Sequence, residues 1–341
     1  MIFGSQTRER FLGAVAGFET AVRGQDPDGA ERAFQEMHAS LGEASPHEIA
    51  QAAPRLAALL PEVPPGPRGI VAVIVGACVE RGADPRPCAP YVFVELAETL
   101  AEVGEFCERW QETGGGDHPH PDDSDAHPVL FERVGPEAAL AWLSLPQFEM
   151  ACLALLNHSQ VRSALDGSLR ARLVRAVTTV EETTGHQFKC LKYALLVLDD
   201  EPLVVLHRPS GTGYRMRMGG IGDNFQLHTL LADVLVGGGH VPGRAPSPQE
   251  AAVCRDAPGQ VHTVGSFNLM TPGGEWVWNE GTPADIPVVD GVRLLVLDPP
   301  AYERSWPSGR FFPNMTGDLV LERVLDETET RYWLGGCAPA K

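Results

Sequence analysis

The chain has 341 residues, 45 of them acidic and 27 basic, for a formal net charge of −18. A hydrophobic fraction of 43% and a charged fraction of 21% are those of a folded globular protein, which excludes wholesale disorder, and the length suffices for two domains. The acidity, relieved by no Lys/Arg-rich run, argues against a nucleic-acid partner and against anionic membrane surfaces.

The opening residues, MIFGSQTRERFLGAV, hold no long apolar core and no small-residue cleavage site, so no secretory signal is expected. From residue 5 to about 184 apolar positions recur at helical spacing, which predicts an all-helical domain over residues 1–184. RERFLGAVAGFETAVRG sets Phe11, Val15, Phe18 and Val22 on one stripe, with Gly24 as its stop. DPDGAERAFQEMHASLG follows, capped by Asp26 or Asp28. In SPHEIAQAAPRLAALLPE, Ser45 and Glu48 form a capping box with Pro46 at the first helical position, and Pro54 is expected to kink or split the helix. IVAVIVGACV, residues 70–79, is about half the ~20 residues of a membrane crossing and reads as a buried helix. It pairs through ADPRP with PCAPYVFVELAETLAEVGEFCERW. GPEAALAWLSL, PQFEMACLALLNHSQVRSAL and SLRARLVRAVTTVEETTG complete a bundle or irregular helical array of roughly eight helices.

The seven cysteines (Cys78, Cys88, Cys107, Cys152, Cys190, Cys254, Cys337) form no C-x-x-C pair. Cys78, Cys107 and Cys152 fall within apolar helical patterns. The expected setting is a reducing cytosol, with no disulfide frame. The loop over residues 113–128 contains GGGDHPHPDDSDAHP, in which His120-Pro-Asp122 matches half of a two-histidine, one-carboxylate iron site. Its glycines and prolines supply no rigid support for ligands, so a solvated loop is the better reading. His47 and Glu48 begin a zinc-protease motif that fails at Gln51. No metal site is assigned and no cofactor is implied.

After Gly185 the pattern changes, and a mainly antiparallel, strand-rich domain with one or two helices is expected over residues 185–341, giving an α+β chain. KCLKYALLVLDDEPLVVLHRP reads as a hairpin turning at Asp199-Asp200-Glu201-Pro202. GTGYRMRMGG is a further strand and NFQLHTLLADVLVG a helix. VHTVGSFNLMTP, EWVWNEG, GVRLLVLDPP, GRFFPN, TGDLVLERVLDE and TRYWLGG are all strand-like. LLVLD occurs twice, at 195–199 and 294–298, each followed by P-S-G. The repeat reads either as a duplicated strand–turn–strand module or as chance reuse of strand and turn residues.

MRMGGIGDNFQLHTLLADVL, residues 216–235, combines most of the chemistry. Alternation puts Tyr214, Met216 and Met218 on one strand face and Arg215 and Arg217 on the other. Gly220-Ile221-Gly222 then leads into a helix capped by Asp223 or Asn224. Phe225 replaces the third glycine of a dinucleotide fingerprint, the cap is itself anionic, and no G-K-[ST] occurs, so nucleotide binding is disfavoured. The alternatives are a structural turn or a polar pocket.

Two functions follow. The first is a cytosolic accessory or binding protein, with a helical scaffold and a strand-rich recognition domain that takes a protein partner or small polar ligand. Trp276 and Trp278, and the loop SWPSGRFFPN with Trp306, Arg310, Phe311 and Phe312, would supply its surface. The second is an enzyme acting on a small polar substrate by acid–base or metal-assisted chemistry. Its catalytic candidates are His207, Asp223 and His228, with Arg208, Arg215, Arg217 and Asn224 as ligand contacts. Convergence of the catalytic three in one pocket would favour the enzyme, and divergence with an aromatic patch the binding protein.

Overall fold

The computed structural model describes residues 9–123, 125 and 127–339, so the first eight residues of the opening read for a secretory signal lie outside the described residues. Two compact units divide the chain, Met1–Leu195 and Leu196–Lys341.

The first unit is helical. Helices α1 (Arg10–Arg23), α2 (Pro27–Leu41) and α3 (Pro46–Leu59) are followed by α4 (Pro65–Glu80) and α5 (Ala89–Glu112). Then come α6 (His127–Val134), α7 (Pro136–Leu156), α8 (Ser159–Ala164), α9 (Gly167–Thr184) and α10 (Lys189–Leu196). Asp26 caps α2 through the Gly29 amide, and Ser45 and Glu48 close the capping box of α3. Pro54 and Pro146 break neither helix: α3 and α7 run through them, and the expected division at Pro146 is absent. The centre of the unit is the packing of α4 and α5 on α7. α7 is long and apolar enough to cross a membrane, but 61% of its apolar window is buried by its neighbours, as in a core helix.

The loop before α6 is mostly exposed, the His120 and Asp122 side chains by 59% and 66%, while three of its carbonyls are tied to side chains of the helical unit. Trp110 and Trp142 donate their indole N–H groups to the Gly116 and Pro119 carbonyls, at 3.1 and 3.0 Å. His186 bonds the His118 carbonyl at 3.0 Å. Among the described residues, no group of three or more His, Cys, Asp or Glu side chains is arranged to hold a metal ion.

The second unit is built on a mixed sheet. Its strands are β1 (Glu201–His207), β2 (Thr212–Gly219), β4 (Asn268–Met270), β6 (Val292–Asp298) and β8 (Asp318–Val324), in the order β4-β6-β1-β2-β8, with β5 (Val288–Val289) pairing β6. β3 (Val261–Val264) and β7 (Ser305–Ser308) form a separate antiparallel pair. Pairing is antiparallel except between β1 and β6, which run parallel and in register from Leu203 opposite Arg293. Both faces of β1 are buried, which explains its unbroken apolar run. Leu203 and Val205 join Tyr214, Met216 and Met218 beneath α11 (Asn224–Ala232). Val204 and Leu206 pack with Trp333 and Leu334 of α13 (Glu327–Gly335) on the other side. α12 (Pro248–Arg255) has its own capping box, Ser247 with Glu250.

Several expected strands are otherwise. KCLKYALL is helix α10, so the hairpin lies one segment later, between β1 and β2 around Arg208–Ser210. TRYWLG belongs to α13, started by an Asp326/Glu329 capping box. EWVWNEG contributes only a bridge between Trp276 and Met270, and GRFFPN is irregular. The first LLVLD ends a helix while the second lies in β6, so the two are not copies of one structural module.

Candidate functional site

The glycine turn of 219–222 is closed by the protein itself. Gly220 has φ +66°, and a Cβ there would lie 1.9 Å from the Thr316 carbonyl oxygen. A Cβ on Gly222 would lie 2.9 Å from Phe311 and 3.0 Å from the Phe312 ring. These glycines admit the 311–317 segment, and the amides a phosphate would need are taken within the protein, Gly222 by the Gln226 side chain, Asn224 by the Gly281 carbonyl and Phe225 by the Asn279 carbonyl. Asp223 caps α11 by accepting from the Gln226 amide at 2.8 Å. Gln226, buried, takes the Gly222 amide at 2.9 Å and donates to the Cys254 carbonyl at 2.7 Å.

The three catalytic candidates serve different elements. His207 ends β1 with Nδ1 2.8 Å from the Ser210 hydroxyl, and burial lowers its pKa while Asp298 opposes. Asp223 is the cap just described. His228 is fully buried, and its Nε2 accepts from the Ser266 and Phe267 amides, both at 3.1 Å. Two incoming N–H groups place the ring proton on Nδ1. Burial first, then the positive charge of Arg304, pushes the pKa to about 3, with Asn279 acting the other way. A ring so poised is a neutral acceptor at physiological pH, whereas a general base needs a pKa near working pH.

The arginine candidates also disperse. Arg208 bonds Asp298 at 2.7 Å and the Ala338 carbonyl at 2.8 Å. Arg217 pairs with Glu322 at 2.6 Å and Asp200 at 3.2 Å, and Arg215 lies 3.7 Å from Glu322.

Asn224, Trp276 and Trp278 do come together. Asn224 is fully buried at the start of α11, and its Nδ2 donates to the Trp278 carbonyl at 2.9 Å and the Thr282 carbonyl at 3.2 Å. Its own amide bonds Gly281, and that of Phe225 bonds Asn279. These bonds fix the 276–282 segment against the helix. Opposite it, Gly265 bonds the Arg304 carbonyl and β3 pairs with β7, which sets residues 302–306. Between the two segments lies a recess of about 270 Å³ whose lining includes Phe225, Trp276, Trp278, Tyr302, Arg304 and Trp306 together with Asn279 and Glu280. That volume sits near the lower end of small-molecule sites.

Aromatic contacts make the recess. Trp276 and Trp278 have ring centroids 5.3 Å apart, and Phe225 and Trp306 are 5.4 Å apart. His228 supports the Trp306 ring edge-on at 4.8 Å. Trp278 and Tyr302 remain 64% and 58% exposed, so the mouth is open, whereas Trp306, expected on the surface, is only 6% exposed because β7 turns it inward. Arg304 donates to the Phe267 carbonyl at 2.8 Å and has its guanidinium 5.8 Å from the Tyr302 ring centroid. Its Nε–H has no acceptor among the described residues, and Glu280 is the carboxylate of the same lining. Of seven buried side-chain N and O atoms without a partner among the described residues, five belong to Asn224, His228, Thr282, Arg304 and Trp306, which concentrates unused polar capacity around this recess.

Sequence reasoning missed Phe225, Asn279, Glu280, Tyr302 and Arg304. A signal existed: Trp276/Trp278/Glu280 and Tyr302/Arg304/Trp306 each alternate at i, i+2, i+4, the spacing that puts side chains of an extended segment on one side. No known protein family, curated protein or solved structure matches this chain.

Proposed function

We propose that the chain is a binding protein whose strand-rich unit holds a small planar ligand carrying an anionic oxygen group in the Trp276–Trp306 recess. The observation that carries this reading is the Arg304 guanidinium, its Nε–H without an acceptor among the described residues, set among open-faced aromatic rings. Indole and phenol faces stack a flat ring. Arg304 contributes charge-assisted hydrogen bonds that an uncharged isostere forgoes. Asn224 and His228 act as positioning residues, the first for the 278–282 segment and the second for Trp306. The acid–base alternative loses its support, since His207, Asp223 and His228 are each engaged within the fold and none lines the recess. The helical unit would then be scaffold, and the seven free cysteines suit a reducing, cytosolic setting.

Tryptophan-fluorescence titration with indole-3-carboxylate tests the proposal, with benzamide (planar, neutral) and cyclohexanecarboxylate (anionic, not planar) as comparisons. Saturable quenching by the planar acid is expected, at least about tenfold weaker for either comparison compound and in Arg304→Gln. Equal binding by wild type and Arg304→Gln, or none by wild type, contradicts it.

A further inference from the structure

The helical unit carries a second concavity, independent of the recess. α1, α2 and the start of α4 enclose a groove of about 560 Å³. Its floor is Phe18, Val22, Phe34 and Val63, with the Phe18 and Phe34 rings 6.4 Å apart, and Ile70, 44% exposed, stands at its lip. Pro27, Pro64 and Pro67 line the walls, and their fixed φ angles leave little for a partner to order. The charged residues of the lining are Asp26, Glu31 and Glu62, with no Lys or Arg. The cation nearest Glu62 is Arg23, 3.5 Å away in a pair both of whose members are exposed, a weak and water-screened contact.

An apolar floor between helices, with rigid walls and a rim of one charge sign, is the arrangement by which a groove receives an amphipathic helix. We propose that this groove docks a basic amphipathic helix of a partner protein, its apolar stripe on Phe18, Phe34 and Ile70 and its Lys or Arg flanks against Asp26, Glu31 and Glu62. Complementary charge selects the partner and orients it, and burial of the apolar stripe holds it.

The test uses the full chain and a fluorescent helix-forming peptide with Leu at i, i+3, i+4 and i+7 and Lys elsewhere, followed by anisotropy. A second peptide carries the same Leu stripe with Glu in place of Lys. The Lys peptide should bind saturably and the Glu peptide at least about tenfold more weakly. Ile70→Glu adds a carboxylate, so a diffuse electrostatic association would tighten, whereas a helix seated in the groove should weaken about tenfold or more. Val129→Glu makes the same charge change at a 49% exposed site on α6 and should leave binding as it is. Glu31→Lys, at the exposed rim, provides a second variant and should weaken it too. Absence of saturable binding, equal binding of both peptides, or an unchanged or tighter Ile70→Glu overturns the proposal. So does self-association of the chain that Ile70→Glu abolishes, which would assign the groove to a second copy.

Discussion

His228 is wholly buried and its ring is neutral. Its folded pKa of about 3 lies below the ordinary value of 6.5, so as pH falls the unfolded ring takes up a proton before the folded one does. Its contribution to stability is therefore complete above about pH 6.5 and is lost as pH drops toward 3, at up to about 1.4 kcal/mol per pH unit. Urea unfolding between pH 4 and 7 should show this slope reduced in His228→Leu, which also lacks an acceptor for the Ser266 and Phe267 amides and should lose about 2–4 kcal/mol at pH 7. Nitrogen-detected NMR of the wild-type ring should report one neutral Nδ1–H tautomer across pH 5–8. A midpoint between 6 and 7 would restore the residue as a candidate base.

At the scale of elements, the packing of α4 on α7 depends on small residues. A Cβ on Gly76 would come within 3.2 Å of the Ala151 Cα, and one on Gly69 within 3.1 Å of the Ser144 Cβ. Gly76→Leu should therefore force the helices apart and cost about 2–4 kcal/mol in chemical unfolding, whereas Gly104→Leu, whose Cβ would meet nothing within 4 Å, should not. Helices with capping boxes and long apolar stripes were legible in sequence because both signals are local. α10 and α13 were not: each is short, 8 and 9 residues, and KCLKYALL and TRYWLG are rich in residues that suit strands as well. The Asp326-x-x-Glu329 box was the readable hint at the second of them. Pro146 misled in the opposite direction, since a proline in a buried helix can be carried by its neighbours' packing.

For the whole molecule, both hydrophobic clusters of the strand-rich unit are made entirely from residues between 198 and 337, with each sheet face covered from within. Residues 196–341 expressed alone should accordingly unfold in one cooperative transition, and retention of indole-3-carboxylate binding by that piece would place the site within it. The change from helical to strand-rich texture could be read from periodicity. The recess could not, because its walls come from irregular segments near residues 276–282 and 302–306 that only the fold brings to the start of α11. Sequence reasoning centred on the arginines of β2, which in the folded chain face Glu322 and Asp200. The decisive measurement is the indole N–H spectrum of the 15N-labelled protein, which has six tryptophans. On titration with indole-3-carboxylate, the resonances of Trp276, Trp278 and Trp306 should shift together along one saturable curve while those of Trp110, Trp142 and Trp333 stay in place. Shifts confined to the second group, or no saturable shift at any of the six, would contradict the assignment of the recess as a ligand site.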